Sequence, residues 1–218
     1  MSKRVAVIHT SFVSVEDLKS MFKEIMPQVQ MVNIVDDSLL PEVIESGGLT
    51  PSVIRRICSY ALQAEEMGVD LILNQCSSVG EAVDVARTML KTPYIKIDEP
   101  MALQAVDIGG RITVVATLPT TLNPSVALIE KAANDTGKRI QINRCLVEGA
   151  FELLIGGKRD QHNQMVLEAI REKQASSDVI VLAQGSMICL LPQLSDITVP
   201  VLTSPRLGVE NVKKRLGL

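Results

Sequence analysis

Tryptophan is absent from this chain, and its 218 residues hold only two tyrosines and three phenylalanines. So few rings leave little from which to build a stacking platform for nucleobases. The net charge of −3 gives no electrostatic reason for a nucleic acid or an anionic membrane as partner. Histidine is nearly missing too: His9 and His162 are the only two, which argues against a histidine-built metal centre. The four cysteines, Cys58, Cys76, Cys145 and Cys189, lie far apart with no C-x-x-C pair, and they read as free thiols. No apolar run approaches the roughly 20 residues a spanning helix needs. The N-terminal stretch MSKRVAVIHTSF has an apolar part only a strand long and lacks a cleavage context. The expected location is therefore cytoplasmic, with no membrane partner. Flexible linkers and low-complexity segments are also lacking, and the length suits one large or two small domains.

What the chain does have is a repeated device. Val5–Phe12 (VAVIHTSF) resembles Ile112–Pro119 (ITVVATLP), and Leu71–Ser78 (LILNQCSS) resembles Val179–Ser186 (VIVLAQGS). Each is an apolar strand pattern ending in small polar residues. Thr10 to Cys76 spans 76 − 10 = 66 positions, and Thr117 to Gln184 spans 184 − 117 = 67. Eight continuous β-branched runs read as parallel strands covered on both faces: Val5–His9, Val29–Val35, Leu71–Asn74, Tyr94–Ile97, Ile112–Ala116, Ile140–Cys145, Val179–Ala183 and Val199–Thr203. Amphipathic helical stretches lie between them. Thr50-Pro51 opens one and Gly68 closes it; Asn123-Pro124 opens another and Gly137 closes it. Ser14 with Asp17 reads as a cap for a Leu18–Met26 helix. The alternation predicts an α/β fold. The repeat splits it into two pseudo-symmetric, four-stranded parallel α/β domains, with the active site in a cleft at their facing strand ends. The expected boundaries are 1–98 plus 199–218 for the first domain and 99–198 for the second.

Cys76 follows a strand and precedes an expected helix (Gly80–Leu90), where helix N–H groups favour a thiolate. Asn74, Ser77 and Ser78 flank it with hydroxyls and amides suited to a carboxylate. The other three cysteines read as buried structural residues. Thr117, Thr120 and Thr121 form the matching turn in the second half, and their hydroxyls suit an anion as well as a helix cap. His9, next to Thr10, is open between an acid–base role and a neutral strand-end filler. Asp98-Glu99 reads more as the acidic first turn of a helix than as site carboxylates, and His162 reads as solvated. The Gly47-Gly48 and Gly156-Gly157 pairs lack dinucleotide or P-loop spacing and read as turns. Arg111 and Arg206 read as structural.

In Ile8–Phe12 (IHTSF), Asn74–Val83 (NQCSSVGEAV), Ala116–Thr121 (ATLPTT) and Val181–Met187 (VLAQGSM), the chain resembles the aspartate/glutamate/hydantoin racemase family. The resemblance covers essentially its whole length. It implies a small carboxylate substrate flanked by two cysteines that remove and return the α-proton without a cofactor or metal. The first family cysteine falls on Cys76, and the carboxylate-holding threonine turn on Thr117 and Thr120. The second cysteine falls on Gln184, whose amide neither takes nor gives a proton at a useful pKa. A two-thiol mechanism is thereby excluded unless His9 or Asp98 substitutes; Cys189 lies five residues too far on. The implied protein is a cofactor-independent racemase or isomerase acting beside the carboxylate of a small acid or amino acid. Cys76 is its acid–base group and His9 the candidate for the second. Thr10, Asn74, Ser77, Ser78, Thr117, Thr120, Gln184, Gly185 and Ser186 are the candidate substrate-binding set. Two alternatives stay open: a one-base decarboxylase resembling arylmalonate decarboxylases, whose pattern keeps the second cysteine and lacks the first, and a non-catalytic small-acid binding protein. Met187–Leu194 and the Glu99–Gly109 helix are candidate homodimer surfaces.

Overall fold

The structure is a computed structural model and describes residues 3–218. Eight strands form two four-stranded, all-parallel sheets. β1 (Arg4–His9), β2 (Gln30–Val35), β3 (Leu71–Asn74) and β4 (Tyr94–Lys96) make the first, in the order β2-β1-β3-β4. β5 (Arg111–Ala116), β6 (Gln141–Leu146), β7 (Val179–Leu182) and β8 (Val201–Thr203) make the second, in the equivalent order β6-β5-β7-β8. All eight expected strands are present, their ends shifted by at most two residues. The chain divides into two compact units, Met1–Glu99 with Pro205–Leu218, and Pro100–Ser204.

In the first unit the alternation of side chains along each strand sends two apolar sets to opposite faces. Ala6, Ile8 and Ile72 pack with α2 (Leu39–Glu45), α3 (Pro51–Glu66) and α4 (Gly80–Arg87). Val5, Val7, Leu71, Leu73, Ile95 and Ile97 pack with α1 (Val15–Ile25) and α9 (Ser204–Arg215). Burial on both faces explains why these strands read as unbroken apolar runs. Helix α3 starts as its sequence dictates: the Thr50 hydroxyl accepts from the Val53 N–H at 3.1 Å, Pro51 occupies the first turn, and Gly68 (φ +69°) turns the chain out. Gly208 of α9 comes close to the end of β4; a Cβ there would stand 2.3 Å from Ile97 Cγ1 and 2.6 Å from the Ile97 carbonyl oxygen.

The second unit repeats this plan. Val115, Ile180 and Leu182 pack with α8 (Arg159–Lys173), and Met187, Leu190 and Leu194 of the apolar run join the same core. α6 (Pro119–Thr136) buries Leu122, Val126, Ile129 and Ala133 and packs on β5 and β6. α5 (Glu99–Ile108) and α7 (Ala150–Ile155) complete the helices. The strand starts match as well. Asp70 accepts the Arg4 N–H at 2.8 Å and the Lys3 ammonium; Asp178 accepts the Arg111 N–H at 2.8 Å and the Arg111 guanidinium.

Four expectations are corrected. Residues 199–204 do not go with the first unit, because β8 pairs in parallel register with β7; only α9 returns. The helix expected to open at Asn123-Pro124 begins at Pro119, with Leu118 as its N-cap and Pro124 inside it. Proline at the first helical position costs no hydrogen bond, and that choice places Thr120 and Thr121 within the first turn. Ser14 does precede α1, but its hydroxyl is buried and makes no capping bond. His162 is 3% exposed, not solvated, since it shares the inward face of α8 with Val166 and Ile170 at four-residue spacing. Among the described residues no helix is long and apolar enough to cross a membrane.

Candidate active site

Parallel register brings the first unit's polar residues together. Ile8 pairs with Asn74 and Asn74 with Lys96, so Thr10, Cys76 and Asp98 each lie two residues beyond one row. Two residues on means the same face: Ala6-Ile8-Thr10 and Ile72-Asn74-Cys76 follow the α3 side of the sheet, and Tyr94 packs on that side as well. The chain leaves β3 through the short 3-10 turn Ser77–Val79, which leads into α4. The Asn74 side chain braces this exit by donating to the Cys76 carbonyl at 2.7 Å.

Cys76 is partly buried, and its sulfur is hydrogen-bonded by the Thr10 side chain and by the backbone and side chain of Ser78. Burial is the largest influence and pushes the thiol up, with the charge of Asp98 adding to the rise; the Thr10 and Ser78 bonds pull the other way. The resting sulfur is therefore a thiol with donors arranged to accept its charge when the proton leaves. Ser77 points elsewhere, donating to Asp98 Oδ2 at 2.6 Å. Asp98 is 3% exposed, and its Oδ1 is buried with no partner. Burial pushes this carboxyl up from its ordinary value, while Ser77 and Lys96 draw it down. The expectation that Asp98 belongs to an acidic helix start is thus corrected: α5 begins at Glu99, whose carboxylate accepts from Arg87 and the Lys96 N–H. Tyr94 is a further residue that the sequence reading missed. Its hydroxyl is buried without a partner on the Cys76 side of the sheet.

His9 is not brought to Cys76. It continues the Val5–Val7 series on the opposite face of β1, where its Nε2 meets Asn33 Oδ1 at 2.9 Å. Burial lowers its pKa, so the neutral ring is favoured and Nε2–H donates to the asparagine oxygen. That geometry answers to the filler alternative, not to an acid–base partner of the thiol.

In the second unit the same register argument pairs Thr117 with Gln184, as Thr10 is paired with Cys76. The Gln184 amide clamps Thr117 twice: its Oε1 accepts the Thr117 N–H at 2.9 Å, and its Nε2 donates to Thr117 Oγ1 at 2.7 Å. The backbone N–H can only donate, which fixes the orientation of the amide. Because Thr117 Oγ1 accepts from Gln184, its own proton is left to donate elsewhere. Thr120 sits in the first turn of α6 with its Oγ1 buried and unpartnered. Gly185 and Ser186 begin the 3-10 segment Gly185–Gln193. Cys189, on that segment, is exposed, which corrects the expectation that it is buried like Cys58 and Cys145, and it donates to the Ser186 carbonyl. Arg111 and Arg206 engage Asp178 and Glu24. Among the described residues no group of three or more His, Cys, Asp or Glu side chains could hold a metal ion.

Known proteins share this architecture. The chain is similar to allantoin racemase from Klebsiella pneumoniae, with a TM-score of 0.72 and 20% identity over 100% of this chain and 89% of that one. It is also similar to glutamate racemase from Francisella tularensis subsp. tularensis SCHU S4 in complex with D-glutamate, with a TM-score of 0.76 and 14% identity over 99% of this chain and 81% of that one. For Picrophilus torridus aspartate racemase the TM-score is 0.71 and the identity 15%, over 99% and 94% of the two chains. No curated protein matches significantly. At these identities the solved structures establish the fold alone. The family model for Asp/Glu/hydantoin racemases matches residues 6–212, which takes in both sheets and both strand ends, and so the chain belongs to the Asp/Glu/hydantoin racemase family.

Proposed function

We propose that this protein is a cofactor-independent isomerase of the racemase type, acting at the carbon beside the carboxylate of a small acid or amino acid, with Cys76 as its acid–base group. Family membership supports an isomerase. The observation that carries the finer reading is the Cys76 sulfur, set at a strand end with the hydroxyls of Thr10 and Ser78 and the Ser78 N–H directed at it. Such donors stabilise a thiolate as it forms and leave the thiol able to return a proton. In the second unit Thr117 and Thr120 are the carboxylate-holding groups, each with a hydroxyl proton free to donate. Gln184 acts through Thr117, not on the substrate. Gly185 and Ser186 extend the same strand end.

A second reading is favoured by one specific observation. The amide of Gln184 is committed to Thr117, so at that position the strand end offers a hydrogen-bonding clamp in place of an acid–base group. Single-thiol chemistry then also suits a lyase, in which loss of CO2 leaves an enediolate that Cys76 protonates.

The test is incubation of the protein in D2O with a panel of small α-substituted acids, amino acids and hydantoins, followed by NMR and chiral chromatography. An isomerase exchanges the α-proton for deuterium and inverts the centre without losing carbon. Release of CO2 selects the lyase. Both activities disappear in a folded Cys76→Ala variant; turnover retained in that variant refutes the role of the thiol.

A further inference from the structure

We propose that Asp98 is a positioning residue for Cys76: through Ser77 it fixes the turn that carries the thiol, and its own charge state governs when that thiol reacts. The role rests on the reading of Cys76 as the acid–base group. Three independent observations carry it. Register and face bring Asp98 into the row of Thr10 and Cys76, on neighbouring strands of one sheet. The Ser77 hydroxyl, on the residue after the thiol, donates to Asp98 Oδ2 at 2.6 Å, while Oδ1 is enclosed without a partner in a side chain only 3% exposed. Finally, the acid has no counterpart in the second unit. Lys96 and Thr203 hold equivalent register positions, so the residue matching Asp98 is Pro205. The thiol end has an acid beside it, whereas the amide end has a proline.

The chemistry follows from crowding of like charge. A carboxylate beside Cys76 opposes loss of the thiol proton, and the protonated acid does not, so the two groups titrate as a coupled pair. Burial, the largest influence on both groups, favours their neutral forms. The surrounding groups leave this coupling in place. Lys96 is occupied by Asp84, and Glu99 by Arg87 and the Lys96 N–H. Tyr94 faces the thiol, but burial holds its phenol well above its ordinary value. From α9, Gly208 approaches Ile97 while Arg206 pairs with Glu24. His9 lies on the other face of the sheet.

The experiment needs no substrate. Alkylation of full-length protein by iodoacetamide is followed from pH 6 to 10, and the Cys76 peptide is quantified by mass spectrometry with the other three cysteines as references. Asp98→Asn keeps a hydrogen-bonding partner for Ser77 but removes the charge. It is expected to lower the midpoint of Cys76 alkylation by about one pH unit, giving up to about tenfold faster labelling below the midpoint. Ser77→Ala, which deprives the carboxylate of its donor and keeps Asp98 neutral to higher pH, shifts the midpoint the same way by less. A merely structural role changes the plateau rate through exposure, not the midpoint. An unchanged or raised midpoint overturns the inference, and Ser77→Ala decides alone if Asp98→Asn does not fold. A lowered midpoint together with turnover retained in Cys76→Ala upholds the coupling and refutes only the catalytic reading.

Discussion

Replacing Gln184 by alanine removes two hydrogen bonds at once, and the structure says which partners are stranded. Thr117 is buried, and among the described residues Gln184 Oε1 is the acceptor of its N–H. Leaving that N–H unpaired costs about 1–3 kcal/mol, and loss of the bond to the hydroxyl about 0.5–1.5 kcal/mol more. The expected sum is roughly 2–4 kcal/mol, discounted by any water that reaches the freed groups. With two compact units in the chain, a single global transition is a poor reporter of one clamp. Amide hydrogen exchange at Thr117 reads the clamp directly. At a tenfold change per 1.4 kcal/mol, exchange there accelerates by about thirtyfold to a thousandfold, provided it proceeds through local opening. Gln184→Glu is the informative contrast: a carboxylate still accepts the N–H but turns the Thr117 hydroxyl toward itself, so most stability survives while the proton free for a ligand is lost. Unchanged Thr117 exchange in Gln184→Ala would refute the clamp and return Gln184 to the pool of free ligand-binding groups.

Other perturbations test other parts of the argument. Gly208→Ala sets a methyl group against the Ile97 carbonyl oxygen, which cannot swing away as a side-chain end can; a loss of about 1–3 kcal/mol in urea denaturation is expected. His9 has its folded-state pKa below the ordinary 6.5, so the unfolded chain binds the proton more readily. Its contribution is fully present above 6.5 and is lost as pH falls from there through the folded-state pKa, and His9→Gln flattens that part of a stability–pH curve. Asp98 has the opposite sign. Its carboxyl lies above the ordinary 3.8, so its share of stability fades as pH rises from that value through the folded-state pKa, and Asp98→Asn removes the slope. Asp70 and Asp178 are held below the usual carboxylate range by their lysine, arginine and backbone partners; Asp70→Asn with Asp178→Asn is expected to weaken the loss of stability below about pH 4.

Much of the fold was readable because doubly covered parallel strands must be apolar throughout, and all eight such runs became strands. The repeat located Thr10, Cys76, Thr117 and Gln184 for the same reason: equal spacing within equal sheets puts equivalent residues at equivalent ends. What spacing cannot convey is the partner of each group. The Gln184 clamp and the Ser77–Asp98 bond depend on turns whose geometry is fixed only after the sheet forms. Parity and register alone carry two further placements. Counting parity along β1 separates His9 from Ile8 and Thr10, and extending the register by two residues brings Asp98 to Cys76. The start of α6 is ambiguous in the sequence because Pro119 and Pro124 both suit a first turn, and the structure places Pro119 there and Pro124 inside the helix.

Helix α9 gives the molecule a peculiar order of synthesis. The face of the first sheet formed by Val5, Val7, Leu71 and Leu73 is covered jointly by α1 and by Val209 and Val212 of α9, and α9 is made only after the whole second unit. The second unit, one uninterrupted stretch from Pro100 to Ser204, has all its parts before then. Domains usually fold in the order they are made. Here the unit that is started first is completed after the unit that follows it, and part of its apolar face stays open in the nascent chain until α9 is made.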